Sequence, residues 1–279
     1  MSTASVLIAA DHQVHHTDAP RYTLLCSSDA DLIEAAQRLR YDVFTAEPGF
    51  DLTADSADLA DGRDADEFDE HCDHLLVRDD RTGELVGCYR MLPPPGAIAA
   101  GGLYTATEFD VRGLDPLRPS LVEMGRAVVR ADHRNGAVVL MMWTGILAYL
   151  DRCGYHYVAG CVSVPVLDPT GESGPGSQIR GVRDHVARRH AADPQFTVHP
   201  YRPVVIDGHG LDDIEPPARP TLPALMRGYL RLGAQVCGEP AHDPAFGVGD
   251  FPALLDKRRA DTRYLTRLRT MAAATEAGR

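Results

Sequence analysis

Apolar residues recur along this chain with two alternating periods, which predict strands and helices in turn. A helical repeat of apolar residues begins just after Asp29 and Asp31, either of which can cap the helix. A long helix is predicted over 138–153, with Gly154 as its C-terminal cap. The pattern also predicts strands over 22–26, 74–77, 85–92 and 155–164, a basic helix over 179–190, a helix over 224–232, and late strands and turns over 234–237 and 246–255.

Glu123 is the most informative single residue, because it is a carboxylate inside an apolar run that predicts a buried strand. Burial removes hydration from a carboxyl group and should raise its pKa towards neutrality. A base that takes a proton from an ammonium group at physiological pH needs such a pKa. An ion pair between Glu123 and Arg126 at a strand end explains the local sequence equally well.

Two connecting segments are distinctive. The segment 51–70 is strongly acidic and poor in large apolar residues, which predicts a long loop or lid. The run Arg134-Asn-Gly136 lies where the Glu123 strand gives way to the helix over 138–153, so backbone N–H groups there can form an anion site. An ordinary turn is the alternative. A further turn over 93–96 is expected to end a hairpin.

Composition narrows the class of protein. The chain has 279 residues, 44% of them hydrophobic, and a net charge of −12, which argues against general affinity for nucleic acid or an anionic bilayer. The apolar run 137–150 is too short to span a membrane. Six cysteines without a CxxC pair predict reduced thiols of a cytoplasmic protein. The run 71–74 has ligand types that suit zinc, but no second cluster at finger-like spacing, so no metal is expected.

We expect one folded domain with two appendages. Residues 1–20 are predicted to be a flexible N-terminal tail, since they lack the basic start and the cleavage pattern of a signal peptide. Residues 21–256 carry the alternating pattern of elements without a linker that separates two cores, and residues 257–279 are predicted to be a charged helical tail. The element order predicts an α/β arrangement around a mostly antiparallel sheet.

Seven segments occur in an order that resembles a known family. Together they resemble the acyl-carrier-protein-dependent N-acyltransferases that make lyso-ornithine lipid, a GNAT-fold family often labelled as hemolysins. The acyl-homoserine lactone synthases are more distantly similar. The resemblance runs from about residue 22 to about residue 255 and implies a GNAT-like α/β fold, with a mixed, mostly antiparallel central sheet flanked by helices. The segments are Arg40-Tyr-Asp-Val-Phe44, Asp66-Glu-Phe-Asp69, Cys72-Asp-His-Leu-Leu-Val77, Gly87-Cys-Tyr-Arg-Met-Leu-Pro93, Glu123-Met-Gly-Arg126, Tyr157-Val-Ala-Gly-Cys-Val-Ser163 and Gly228-Tyr-Leu-Arg-Leu-Gly-Ala-Gln-Val-Cys-Gly-Glu-Pro240.

The resemblance also implies roles for particular residues. Glu123 and Arg126 are implied at the catalytic centre, with Glu123 as the base. The run 129–138 looks like a degraded GNAT pyrophosphate loop, because Asn135 and Ala137 stand where glycines are usual; this departure favours the single phosphodiester of a phosphopantetheine over the diphosphate of CoA. The residues implied to bind the amino-acid acceptor are Arg40, Phe44, Asp66, Asp69 and Arg90, and those implied to bind the donor phosphopantetheine are Arg130, Arg134 and Gly136. For the two aspartates with Arg40 and Arg90, a salt-bridge network that pins the acidic segment is an equal alternative.

The expected function follows from this resemblance. It is the transfer of a fatty acyl group, 3-hydroxylated in some donors, from acyl carrier protein to the α-amine of an amino acid, with ornithine favoured and no cofactor required. Acyl-CoA is an alternative donor. The alternatives in function are an enzyme similar to acyl-homoserine lactone synthases and a non-catalytic GNAT module that binds acyl chains or lipids.

The expected partners follow as well. We expect a cytoplasmic protein that associates with the inner membrane at most peripherally. An acidic carrier protein needs a basic face to dock on, although for the helix arginines a solvated helix surface is the simpler explanation. The apolar run 138–142 with Trp143 either borders an acyl-chain groove or, more simply, forms a core helix. The arginines that offer a basic face are Arg126, Arg130 and Arg134, together with Arg180, Arg183, Arg188 and Arg189.

Overall fold

Short and long strands make up much of the described structure. The computed structural model describes residues 4–8, 22–47, 61–134 and 136–261, together with residues 263 and 266. The strands are β1 (Ser5–Ile8), β2 (Tyr22–Ser27), β3 (Asp73–Asp79), β4 (Leu85–Leu92), β5 (Phe109–Asp110), β6 (Leu121–Val129), β7 (Tyr157–Pro165), β8 (His199–Pro200), β9 (Val205–Ile206), β10 (His209–Gly210), β11 (Gln235–Val236), β12 (Ala241–Asp243) and β13 (Val248–Asp256).

One mixed sheet organises the fold. Within the described residues it has nine strands, of which eight follow the order β1-β2-β3-β4-β6-β7-β13-β11 and the ninth, β12, pairs with β13. The paired strands of this sheet are antiparallel except for β6 and β7, which are parallel. The predicted mixed, mostly antiparallel sheet is therefore present.

Five α-helices flank the sheet within the described residues. Asp29 caps the first of them, because its carboxylate accepts hydrogen bonds from the N–H groups of Asp31 and Leu32. Gly154 follows the third with φ of +73°, a conformation that glycine adopts without steric cost. The helices are α1 (Ala30–Ala46), α2 (Pro94–Ala99), α3 (Gly136–Cys153), α4 (Ser177–Arg189) and α5 (Ala224–Leu232).

Alternate residues of each strand enter different cores, as the two-residue period of a strand requires. Leu24 and Leu75 belong to the large cluster that contains Trp143 of α3 and residues of α4 and α5. Leu25 and Leu76 belong to the smaller cluster on the other face, which α1 covers. A third cluster forms around Phe109 and the turns that precede β6. The sheet is thus covered on both faces.

The structure differs from the sequence-based predictions at several places. Ser5–Ile8 pairs with β2, so the prediction of a loose tail is wrong for these residues, while the rest of 1–20 outside 4–8 is not among the described residues. Pro94 begins α2 where only a turn was expected, because proline suits the first turn of a helix. The short pairs β5–β8 and β9–β10 were not predicted.

The predicted acidic loop over 51–70 and the predicted C-terminal tail over 257–279 are each described only in part. Residues 51–60 of the predicted acidic loop lie outside the described residues, and residues 61–70 pack against α1 and the sheet rather than standing away from them. Of the predicted C-terminal tail, the structure describes a 3-10 turn at Lys257–Arg259 and a few residues beyond it. In the part of the chain that is described, no helix has both the length and the apolar character needed to cross a bilayer.

Candidate active site

A cavity opens where β6 and β7 separate. Their parallel pairing covers only Leu121–Glu123 opposite Tyr157–Ala159. Beyond this point β6 carries one extra residue relative to β4, a β-bulge that bends a strand. Arg126 at the bulge has φ of +52°, a conformation that is uncommon for a residue other than glycine. The cavity between the diverging strands has a volume of about 1120 Å³.

Glu123 lies at the last paired position of β6 and lines this cavity. It accepts hydrogen bonds from the N–H groups of Tyr104 (2.5 Å) and Thr105 (2.7 Å) and from the Thr105 hydroxyl. Burial raises the pKa of Glu123, and these hydrogen bonds oppose that rise. The carboxylate therefore anchors the 3-10 turn at 104–107, and Arg126, its predicted partner, pairs elsewhere.

A buried cluster of ion pairs lies behind the wall of the cavity. Arg40 is fully buried and binds Asp64 through Nε at 2.7 Å and Asp69 through Nη2 at 2.7 Å and Nη1 at 3.1 Å. Burial alone would raise the pKa of Asp69, but the hydrogen bonds and charge of Arg40 hold it well below its usual range. Gln37 adds a hydrogen bond to Asp69 at 2.9 Å. Every one of these contacts ties α1 to the segment 61–70.

Two further arginines extend the cluster to the cavity. Arg90 Nη1 binds Asp66 and lies 3.2 Å from Asp69 Oδ1, and Arg126 Nη2 lies 3.2 Å from Asp66 Oδ2. Both guanidinium groups lie over the ring of Tyr104, at 5.4 and 5.1 Å from its centroid. The formal charges of the three arginines and the three aspartates cancel. The cluster therefore fixes the positions of Arg90 and Arg126, which line the cavity, and has no net charge.

A second group of acids lies in the cavity itself. The carboxylates of Glu108, Asp243 and Asp250 line the cavity and offer oxygens that all lie within 4.8 Å of one another. Burial first, and then the charges of the two aspartates, raise the pKa of Glu108 to about 8. Burial also raises the pKa of Asp250 to about 6, although Ser163 donates a hydrogen bond to it at 2.6 Å. Oε2 of Glu108 is buried and accepts no hydrogen bond from the described residues. This acid trio can hold an ammonium group, and its oxygens would also suit a hard cation.

Of the residues predicted to bind the donor phosphopantetheine, some lie at the cavity and one lies on the surface. Arg134 lines the cavity and binds Glu47 at 2.5 and 3.3 Å and the carbonyl of Val129 at 3.0 Å. Gly136 is the first residue of α3, beside Arg134. Arg130 instead binds Glu84 and Asp132 on the surface, both at exposed positions. Only the Arg134 end of the predicted phosphopantetheine site therefore borders the cavity.

Only some of the residues predicted to bind the amino-acid acceptor line the cavity. Phe44 lines the cavity and meets Phe246 edge to face at 6.0 Å, whereas the cavity lining does not include Arg40, Asp66 or Asp69. Their predicted role in binding the acceptor stays a prediction.

Among the arginines considered for carrier docking, Arg126 has a side chain only 10% exposed, and Arg180 and Arg183 pair with neighbouring acids. Those pairs are Arg180 with Asp184 and Asp212, and Arg183 with Asp184, Asp212 and Glu239.

The acid trio was missed from the sequence. Asp250 carries the same signal that singled out Glu123, a carboxylate inside an apolar strand, and could have been found by it. Glu108 and Asp243 carry no such signal, because they lie next to turns and acquire their surroundings only when β12 and β13 pair beside β7. Asp64, which binds Arg40, also carries no distinguishing signal, because it is one of many acids in the segment 51–70.

The chain matches known acyltransferases. The family profile of the acetyltransferase (GNAT) domain matches residues 39–144. Together with the mixed sheet, this match confirms the predicted GNAT fold, and the relatives named next define the protein as an acyltransferase.

Curated relatives identify the family. An L-ornithine N(alpha)-acyltransferase of Brucella abortus is 34% identical over 246 residues, which cover 84% of either chain. One of Rhizobium meliloti is 33% identical and covers 87% of this chain and 82% of its own. The chain belongs to the L-ornithine N(alpha)-acyltransferase family, which confirms the resemblance. A solved CoA-dependent acyl-homoserine lactone synthase with SAM and isopentyl-CoA is 18% identical, with a TM-score of 0.48 and coverage of 86% and 82%.

We predict that Arg40 is required chiefly for folding. Replacing it in Arg40→Met leaves Asp64 and Asp69 buried without their main partner, which should lower the free energy of unfolding by about 3–5 kcal/mol. Urea denaturation measures this loss. Arg38→Met is the matched control, because Arg38 lies on the same helix but forms an exposed pair with Glu34, and it should leave stability nearly unchanged. An equally small effect of both variants would contradict the structural role and favour a role of Arg40 in binding the acceptor.

Proposed function

We propose that this protein transfers a fatty acyl group from the thioester of acyl carrier protein to the α-amine of ornithine. The names of its relatives, which are L-ornithine N(alpha)-acyltransferases, support this acceptor and this bond. One observation of the structure carries the proposal. A single cavity joins the guanidinium group of Arg126, the acid trio and an apolar branch, which are the features needed to bind an amino acid and an acyl chain side by side. The apolar branch is lined by Met142, Trp143, Ile146, Leu225 and Gly228.

The charges in the cavity favour an acceptor with two amines. The guanidinium group of Arg126 lines the cavity and can pair with the α-carboxylate in addition to Asp64 and Asp66, and the acid trio offers up to three negative charges for ammonium groups. Ornithine carries one carboxylate and two amines, so its charge complements this surface better than that of a neutral amino acid. Phe44 and Phe246 supply apolar contact for its aliphatic stem.

We propose Glu108, which lies beside Asp250, as the base. The α-amine must lose a proton before it attacks, and a carboxyl group with a pKa of about 8 takes that proton effectively near neutral pH. The neutral amine then attacks the thioester carbonyl, the C–N bond forms, and the C–S bond breaks. The thiolate of the donor leaves and takes up the second proton, which the attacking nitrogen loses as it becomes an amide, so the products are an amide and a thiol while Glu108 keeps the first proton.

Glu123 has a different role in this proposal. All three of its hydrogen bonds come from Tyr104 and Thr105, and Glu108 follows the same turn directly. Glu123 is therefore a positioning residue that fixes the turn carrying the base. Its earlier assignment as the base stays a prediction, which the variants described below distinguish.

The donor side of the proposal rests on the rim of the cavity. Arg134 and the first turn of α3 border the opening, where a single phosphodiester can be held. A carrier-bound phosphopantetheine has one such group, which suits the loss of the usual glycines at Asn135 and Ala137. A cytoplasmic location is part of this proposal, and the six cysteines, all free, fit a reducing compartment.

We expect acyl carrier protein loaded with long acyl chains to yield N-acylornithine. The measurement is incubation with a panel of amino acids, followed by mass spectrometry of the products. Ornithine should react fastest, because the acid trio favours a second ammonium group, and acyl-CoA should be a poorer donor. No acylated amino acid from any pairing would contradict the proposed function, and equal rates with neutral amino acids would contradict the role of the trio.

We predict that Glu108→Gln lowers kcat by about 10²- to 10⁴-fold, because a glutamine cannot accept the proton of the amine. In the unsubstituted protein, kcat/KM should rise with pH up to about 8, since Glu108 is protonated and inactive as a base below that pKa. The Glu108→Gln variant should lose this rise.

Glu123→Gln is the matched comparison for this prediction. It keeps the shape of the side chain but replaces one acceptor with an NH₂ group that faces the donors of Tyr104 and Thr105. We expect reduced thermal stability and a retained pH profile. The opposite result, with turnover and pH dependence lost only in Glu123→Gln, would make Glu123 the base.

Addition of a chelator should leave the rate of acyl transfer unchanged, and a strong loss of rate would instead assign a metal to the acid trio.

A further inference from the structure

The cavity has an apolar branch between two helices. Met142, Trp143 and Ile146 of α3 form one side of this branch, and Leu225 and Gly228 of α5 form the other. The polar groups of the acid trio lie elsewhere on the wall, on the far strands and turns. An elongated, uncharged ligand fits such a branch, and a saturated acyl chain is that kind of ligand.

Gly228 is an unusual residue for its position. It is buried in the middle of α5, where glycine is less favourable than any residue but proline. Its φ is not positive, so no turn requires it. A Cβ atom built on it would meet only Nε1 of Trp143, at an ordinary distance of 3.7 Å. In contrast, Gly145 of α3 is needed for packing, because a Cβ there would overlap the side chain of Leu24.

The absence of a side chain at residue 228 leaves open the part of the branch beside it. Glycine within an element often marks a place where a ligand approaches the backbone closely. Next to Gly228, the ring of Trp143 meets that of Tyr229 edge to face at 4.9 Å, and both rings are buried. This buried aromatic pair closes the branch on that side, and glycine at position 228 leaves room in front of it.

We propose that Gly228 sets the longest acyl chain that this protein accepts. The proposal rests on the proposed function and adds the site for the distal part of the chain. Burial of each methylene group favours longer chains until the chain reaches the wall that Trp143 and α5 form. A side chain at residue 228 projects into the same branch, and it should exclude the end of a long chain while leaving room for a short one.

The test is a graded series, Gly228→Ala, Gly228→Val and Gly228→Leu. The measured quantity is the ratio of kcat/KM for a long-chain to that for a short-chain acyl carrier protein, with ornithine as acceptor. The ratio should fall in the order Ala, Val, Leu, by about tenfold or more for Leu, because a small steric misfit in an apolar pocket has effects of that size. Dissociation constants of free long-chain and short-chain fatty acids should change in the same order without turnover.

Ala187→Leu is the matched control. It adds the same side chain to an exposed position of α4, outside the cavity lining, and should leave the ratio unchanged. If Gly228→Leu unfolds on thermal analysis, Gly228→Ala and Gly228→Val decide the question. An unchanged ratio in folded variants overturns the role of Gly228. If the unsubstituted protein acylates no amine, the proposed function fails, and the fatty-acid dissociation constants alone then support or overturn the chain-length role.

Discussion

The parallel pairing of β6 with β7 ends after Glu123, and the active site depends on that separation. Were the two strands paired along their full length, their backbones would fill the space that the cavity occupies. The bulge at Arg126 bends β6 away and turns its guanidinium towards the cavity. Every feature of the proposed chemistry is placed relative to this opening, with the acid trio on one wall and the apolar branch between α3 and α5.

The opening needs support, because separated strands lose the hydrogen bonds that would hold them together. The buried ion pairs around Arg40 supply part of it by tying α1 and the segment 61–70 to β4 and β6 through Arg90 and Arg126. Glu123 supplies another part by fixing the turn at 104–107. Several residues that the family pattern emphasises, among them Arg40, Asp66 and Asp69, thus hold the site in shape, and these three do not line the cavity.

The long elements could be predicted from local sequence, because their signals are local. The ends of α5 follow from Pro223 before it and Gly233 after it, and β6 follows from its apolar run. The acid trio could not be predicted as a group. Glu108 and Asp250 are far apart in the sequence and meet only because β13 pairs with β7 beside the opening. The bulge of β6 could not be predicted either, because it is a shift in the pairing of β6 with β4 and the sequence of one strand does not determine that pairing.

The most direct test of these ideas is a crystal structure of the protein with N-acylornithine bound. We predict that the amide nitrogen lies within hydrogen-bonding distance of Glu108 or Asp250, and that the chain runs between α3 and α5 towards Gly228. An amide nitrogen beside Glu123 and away from the acid trio, or an acyl chain that lies outside the cavity between β6 and β7, would contradict this mechanism.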